Sequence, residues 1–166
     1  LLMAAGNDST KATYCSAMRA LMEHPDQRHL LLEEPELIPS AVEESLRMFP
    51  AFSHFRRTAT KDTELNGMKI RKGDKVVMWY ISANRDESVF DDADSIRVDR
   101  ENARRHLSFG YGIHRCVGAR VAELHVAADL MIMPAFTLAT GGWESPFIAV
   151  LVVKPVSSAL LVGRAK

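Results

Sequence analysis

The residues best suited to chemistry lie in the stretch 109–118, Phe-Gly-Tyr-Gly-Ile-His-Arg-Cys-Val-Gly. Cys116 ends a loop punctuated by Gly110 and Gly112, with the basic His114 two positions before it. The apolar run from Val117 to Met133 reads as a helix. A cysteine at a helix N-terminus meets free backbone N–H groups and the positive end of the helix dipole, and both favour the thiolate. A thiolate held in this way can ligate a metal. The competing reading is a structural cysteine packed beside a turn. A zinc centre is not completed, because His106, His114 and Cys116 have no second cysteine pair or spaced histidine pair.

Three further groupings carry charge or hydroxyls at suggestive spacing. Glu44 and Arg47 stand at i and i+3 of a helical segment; on a surface such a pair is worth a few tenths of a kcal/mol. Asp8-Ser9-Thr10 follows Gly6 and, read alone, is a helix cap. Arg57 sits in a Thr-rich segment; a guanidinium pairs well with carboxylates, although an ordinary strand-edge charge has the same appearance.

Taken together, Phe109, Gly110, Gly112, His114, Cys116 and Gly118 resemble the haem-binding loop of the cytochrome P-450 (haem-thiolate) monooxygenases. The resemblance implies haem b with Cys116 as the axial thiolate ligand of its iron, a ligand that pushes electron density toward O–O cleavage. Residues 41–47 are similar to the family's Glu-x-x-Arg helix, where the pair is buried and structural; this assigns Glu44 and Arg47 to folding and haem retention. A third partner usually comes from a Pro-x-Arg-Phe-like segment, but residues 93–96 read Ala-Asp-Ser-Ile, which leaves Arg97 and Arg100 as the nearby candidates. Residues 4–10 resemble the oxygen-activating helix, kinked at its glycine, which implies a proton-relay role for Asp8, Ser9 and Thr10. Ser9 stands where the family usually has Thr; it keeps the hydroxyl and loses the methyl that fixes χ1. By the same resemblance Arg57 and His114 are partners of the haem propionates. Segments 24–28, 56–60 and 82–86 follow in family order, in the style of soluble bacterial members that take electrons from a ferredoxin-type donor.

The implied function is an O2-dependent, cytoplasmic monooxygenase acting on an apolar small molecule such as a sterol, terpene, fatty acid or aromatic compound. Two alternatives stand beside it. One is a truncated, non-catalytic module that binds haem or docks a partner. The other is a peroxygenase-type relative using hydrogen peroxide, against which Asp8-Ser9 weighs. Leu1 opens inside a helical segment without an initiating Met, and family chains are much longer. The expectation is therefore one partial domain over 1–166, running from the oxygen-activating helix to the C-terminus, with the N-terminal half absent. The likeness fades beyond Leu130.

Composition sets the outer bounds. The chain has 166 residues, 47% hydrophobic and 25% charged, with formal net charge zero, which is globular rather than disordered. No basic excess points to nucleic acid. Lys154 and Pro155 break the longest apolar run below membrane-spanning length. Cys15 and Cys116 make no disulfide framework. The elements that must position the site predict a mainly α chain with small β-sheets (α+β), and the resemblance implies that these form the C-terminal portion of the P-450 fold. Helices are expected over 1–23, interrupted at Gly6 and Asn7; over 25–34; over 38–49, with Ser40 and Glu43 as a capping box; and from Val117 to near Pro134, with Val117, Val121, Leu124, Ala128 and Met131 on one face. A β region spans 54–77 with turns at Asn66-Gly67 and Gly73-Asp74. A short helix covers 78–84, and 85–108 is charged and irregular, a length expected to be functional or packed as a unit. Residues 141–142 read as a loop, and 147–153 and 159–162 as strands. Cys15, His24, His29 and His125 are assigned to core packing, and Trp79 and Trp143 to packing aromatics.

Overall fold

The computed structural model describes residues 2–139. The predicted loop at 141–142, the strands at 147–153 and 159–162, and Trp143 lie outside them. The described residues form a mainly α assembly with two small sheets. Helix α1 (Leu2–Glu23) runs unbroken through Gly6 and Asn7, contrary to the expected interruption. One glycine inside a helix costs about 1 kcal/mol, and α1 offsets this by burying Cys15, Ala17, Met18 and Leu21. Helix α2 (Pro25–Glu33) has Pro25 in its first turn and Asp26 at its positive end, and stops before Pro35.

Helix α3 (Ile38–Met48) also has a proline in its first turn. Pro39 is pre-organised for that position, so the helix starts early enough to enclose Ser40, and the expected capping box does not form. The Ser40 hydroxyl instead donates to the Arg100 carbonyl (3.0 Å), and Glu43 meets Nε2 of His106 (3.1 Å).

Strand β1 (His54–Thr58) pairs antiparallel with β4 (Lys75–Trp79), enclosing a smaller hairpin of β2 (Thr63–Leu65) and β3 (Met68–Ile70). Asn66 and Gly67 both take positive φ, 49° and 78°, as a two-residue hairpin turn requires. Because Met78 and Trp79 continue the ladder opposite Phe55 and His54, helix α4 (Tyr80–Ala83) starts later than expected. Trp79 is not a core aromatic: it is exposed and lies against the His54 ring, centroids 4.7 Å apart. His24, His29 and His125 are exposed as well, not packed in the core.

Helix α5 (Ala119–Ala139) departs from expectation at both ends and in its orientation. It begins after Gly118 and continues past Pro134, since proline removes one hydrogen bond from a helix of six turns without forbidding the rest. Its buried face is Ala119, Val126 and Leu130, while Val117, Val121, Leu124 and Met131 are exposed. The polar residues Arg120, Glu123, His125 and Asp129 are not gathered on one side, so periodicity alone does not single out the packed face. Val126 and Leu130 join Met18 and Leu21 of α1, Ala41, Val42 and Leu46 of α3, and Val98 in the main core.

The irregular stretch after α4 is held by charge. Glu44 and Arg47 are fully buried. Arg47 donates through Nε and one terminal nitrogen to the two Glu44 carboxylate oxygens (2.7 and 2.8 Å). Arg100, 4% exposed, donates through Nε to the same oxygens (3.0 and 3.1 Å), and the Arg97 backbone N–H adds a further bond (3.0 Å). The remaining guanidinium N–H groups reach carbonyls of Asn84, Ala93 and Ser95 from Arg47, and of Asp91, Asp92 and Ser95 from Arg100. The Phe90 ring lies under the Arg47 guanidinium, 5.1 Å from its centroid. Residues 84–100 thus form a packed unit, with Phe90, Ala93, Ile96 and Val98 buried.

Removing the carboxylate leaves two buried cations without their anion. Glu44→Ala is therefore expected to cost about 3–5 kcal/mol, a large share of the roughly 5–15 kcal/mol of a typical domain. The exposed Arg19–Glu23 pair (3.7 Å) supplies the contrast: Glu23→Ala is expected to cost less than about 1 kcal/mol. Denaturant unfolding followed by circular dichroism measures both.

Candidate functional site

Cys116 is exposed, whereas Cys15 is sealed in α1. Burial first, then the Asp129 carboxylate, pushes the Cys15 thiol above its ordinary range. Of the two free thiols, Cys116 is the one presented for ligation.

The loop that carries it is closed by its own backbone. Gly110 N–H donates to Leu107 O (2.8 Å), and Cys116 N–H donates to Phe109 O (2.9 Å). Arg115 N–H donates to Gly112 O (3.1 Å) at the end of the short 3-10 turn Gly112–His114. Gly110 and Gly112 take φ of 71° and 73°, a region that side chains disfavour. A Cβ on Gly110 would also stand 3.1 Å from the Tyr80 hydroxyl oxygen. With the Cys116 amide turned back to Phe109, the thiol is left outside the loop at the approach to α5. Cys116 stands three residues before the first residue of α5, and its carbonyl accepts the Ala119 N–H (3.4 Å).

The stem of the loop is anchored by side chains. Asn84 is completely buried. Its Oδ1 accepts the Leu107 N–H (2.8 Å), and its Nδ2 donates to Ser108 Oγ (2.8 Å) and Arg47 O (3.0 Å). Ser108 Oγ donates onward to Leu46 O (2.6 Å). The Ser108 N–H donates to Nδ1 of His106 (3.1 Å), which places the imidazole proton on Nε2, facing Glu43. That contact, with Arg104 and Arg120, more than offsets the burial that would raise Glu43, and its carboxyl is held below the ordinary range.

The surroundings fit a flat, apolar macrocycle bearing carboxylates. Tyr111, Ile113 and Val117, around Cys116 in sequence, have almost wholly exposed side chains, and Gly118 leaves ordinary space beside Cys116 Sγ, 3.9 Å from where its Cβ would lie. His114 and Arg115 are exposed cationic or titratable groups on the same loop. An exposed cysteine sulfur with apolar and cationic side chains on the same loop is a donor set that fits an iron porphyrin.

The other residues singled out in the sequence are distributed over different elements. Phe109, Gly110, Gly112, His114, Cys116 and Gly118 share the loop. Arg57 is on β1 opposite Val76, exposed, its guanidinium donating to Arg56 O (3.1 Å). Asp8 is exposed on α1, with Ser9 and Thr10 half-buried. Arg100 rather than the Arg97 side chain completes the Glu44 pair. Sequence reasoning left Asn84, Ser108 and His106 without a role. The one available signal was the polar Asn in an otherwise apolar-to-turn segment, Ile-Ser-Ala-Asn-Arg-Asp.

Comparison with known proteins extends these observations. The Cytochrome P450 family description matches residues 1–139. Linalool 8-monooxygenase of Pseudomonas putida is 45% identical over 133 residues, which cover 80% of this chain and 32% of that protein. Nocardicin C N-oxygenase of Nocardia uniformis subsp. tsuyamanensis is 40% identical over 152 residues, covering 88% and 38%. Among solved structures, cytochrome P450-153 from Novosphingobium aromaticivorans superposes with a TM-score of 0.78 at 56% identity, over 80% of this chain and 34% of that one. This chain thus spans about a third of the length of the relatives it matches. A loop that turns Cys116 outward, a buried Glu44–Arg47–Arg100 cluster behind it, and a family match across every described residue place the chain in the cytochrome P450 family.

Proposed function

We propose that this chain is the haem-ligating portion of an O2-dependent monooxygenase that hydroxylates an apolar small molecule. The observation that carries the reading is the outward Cys116 thiol on a loop whose backbone is already satisfied by the Phe109 carbonyl. A ligand held in this way needs little rearrangement to bind iron. Cys116 would be the axial thiolate of haem b, with Phe109, Gly110, Gly112 and Gly118 forming the cradle and Arg57 and His114 pairing with the propionates. Bound there, the iron porphyrin supplies one-electron and dioxygen chemistry, and the thiolate tunes its electronics.

The remaining roles belong to the chain's own side chains. Asp8 is exposed on α1, so its carboxylate can exchange protons with solvent. The hydroxyls of Ser9 and Thr10 would hand protons on toward the oxygen-binding side, each acting as donor and acceptor. The Glu44–Arg47–Arg100 cluster would hold the loop without taking part in a chemical step. Electrons would come from a ferredoxin-type partner. The exposed Arg104, Arg115 and Arg120 lie on segments flanking the cysteine and suit an acidic protein surface. Among the described residues no helix is long and apolar enough to cross a membrane. The relatives' names specify linalool in one case and nocardicin C in another, which supports a broad class of organic substrates rather than one compound.

Two experiments test this reading. The haem-loaded protein, reduced under carbon monoxide, is expected to show the red-shifted Soret band of thiolate-ligated haem. Cys116→Ser should abolish that band, since an alcohol is a poor anionic ligand at neutral pH; a serine variant that keeps it would exclude Cys116 as ligand. Asp8→Asn and Ser9→Ala should each lower product formed per NAD(P)H by at least about tenfold with haem content unchanged, as expected for lost proton delivery. Unaltered coupling in both would remove the relay.

A further inference from the structure

We propose that Asn84 is a positioning residue of the cysteine loop, carrying the anchorage of the buried ion cluster to the peptide that receives the Cys116 amide. Its backbone carbonyl accepts Arg47 (2.7 Å), and its side-chain amide donates to the Arg47 carbonyl (3.0 Å). One residue is therefore bonded to the cluster from both main chain and side chain. The same amide group fixes Leu107 N–H and Ser108 Oγ (2.8 Å each). Leu107 O in turn accepts Gly110 N–H, and the intervening Phe109 carbonyl accepts Cys116 N–H.

The path from Arg47 to Cys116 thus runs through consecutive hydrogen bonds with Asn84 at its centre. All of its side-chain donors are used, and it is completely buried. Asparagine also closes α4, its own N–H bonding Tyr80 O (2.9 Å), and the Tyr80 hydroxyl faces Gly110. A single short helix therefore braces the loop stem at Asn84 and the loop turn at Tyr80. A side chain with two donors and an acceptor in one plane is needed here. Aspartate has the same shape and lacks the donors.

The test uses amide hydrogen exchange in the full chain, which needs no haem, followed by the ferrous carbonyl spectrum of the haem-loaded protein. Asn84→Asp should accelerate exchange of the Gly110 and Cys116 amides by at least about tenfold relative to the core amides of Leu21 and Val126, because the buried acceptors Arg47 O and Ser108 Oγ lose their donor. In the haem-loaded variant a larger fraction should show the unshifted, non-thiolate carbonyl band at equal haem content. If Asn84→Asp does not fold, Ser108→Ala removes one link of the same path and must give the same loop-selective pattern with smaller amplitude. Equal acceleration of loop and core amides, or no acceleration, overturns the proposal. The spectroscopic arm rests on the haem-thiolate reading and the exchange arm does not. Absence of a thiolate band in the unsubstituted protein would therefore count against that reading while leaving Asn84 decided by exchange.

Discussion

Glu44 carries its carboxylate into the core between Arg47 and Arg100, and buried charge of this kind persists only while every partner stays in place. Two cations share one anion, so the cluster carries an excess positive charge that the carboxylate alone does not balance. Backbone carbonyl dipoles from residues 84, 91, 92, 93 and 95 supply the difference. Each carbonyl must face inward, and that requirement dictates the path of a segment with almost no regular structure. Asp92 even adopts a positive φ of 49°, while its carbonyl meets Arg100.

The cysteine loop inherits its geometry from this arrangement. Its stem is bonded to the last turn of α3 through Asn84 and Ser108, and its far end leads into α5, which packs on α1 and α3 through Val126 and Leu130. Both ends are fixed by core elements, and the glycines absorb the turn between them. The thiol is exposed because the loop's backbone requirements are met internally, without involving sulfur. The proposed ligand thus combines rigid support with an open face.

Much of the site is legible in the sequence because its chemistry is tied to residue type. The cysteine, the two glycines and the helix-forming run behind them specify a presented thiol by type and order, and Glu44 and Arg47 sit on one helix face by spacing alone. The partner from beyond that helix is less accessible: Arg97 and Arg100 are three residues apart, and only the chain path decides that the Arg100 guanidinium and the Arg97 amide reach Glu44. Asn84, His106 and Ser108 are invisible as a group, since long-range side-chain to backbone bonds leave no periodic trace. In the fold, hairpin and helix positions follow from Asn66-Gly67 and the prolines. The packed face of α5 does not, because Arg120, Glu123, His125 and Asp129 are not gathered on one side and give no clear amphipathic signal, and Ser40 lies inside α3, which starts at Ile38 as expected, so its hydroxyl bonds Arg100 instead of capping.

The central claim is that the cluster matters through the carbonyls it organises and not merely as a charge pair. Replacing Glu44, Arg47 and Arg100 together by Leu, Met and Met removes all three charges, which in an ordinary buried ion pair restores or exceeds the original stability. Here the replacement would leave several inward carbonyls without donors, each costing about 1–3 kcal/mol. The decisive measurement is the unfolding free energy of this triple variant beside that of Glu44→Gln. The triple variant is expected to stay at least as unstable as the single one. Recovery of the parent's stability would contradict it, showing that the cluster is an ion pair and nothing more.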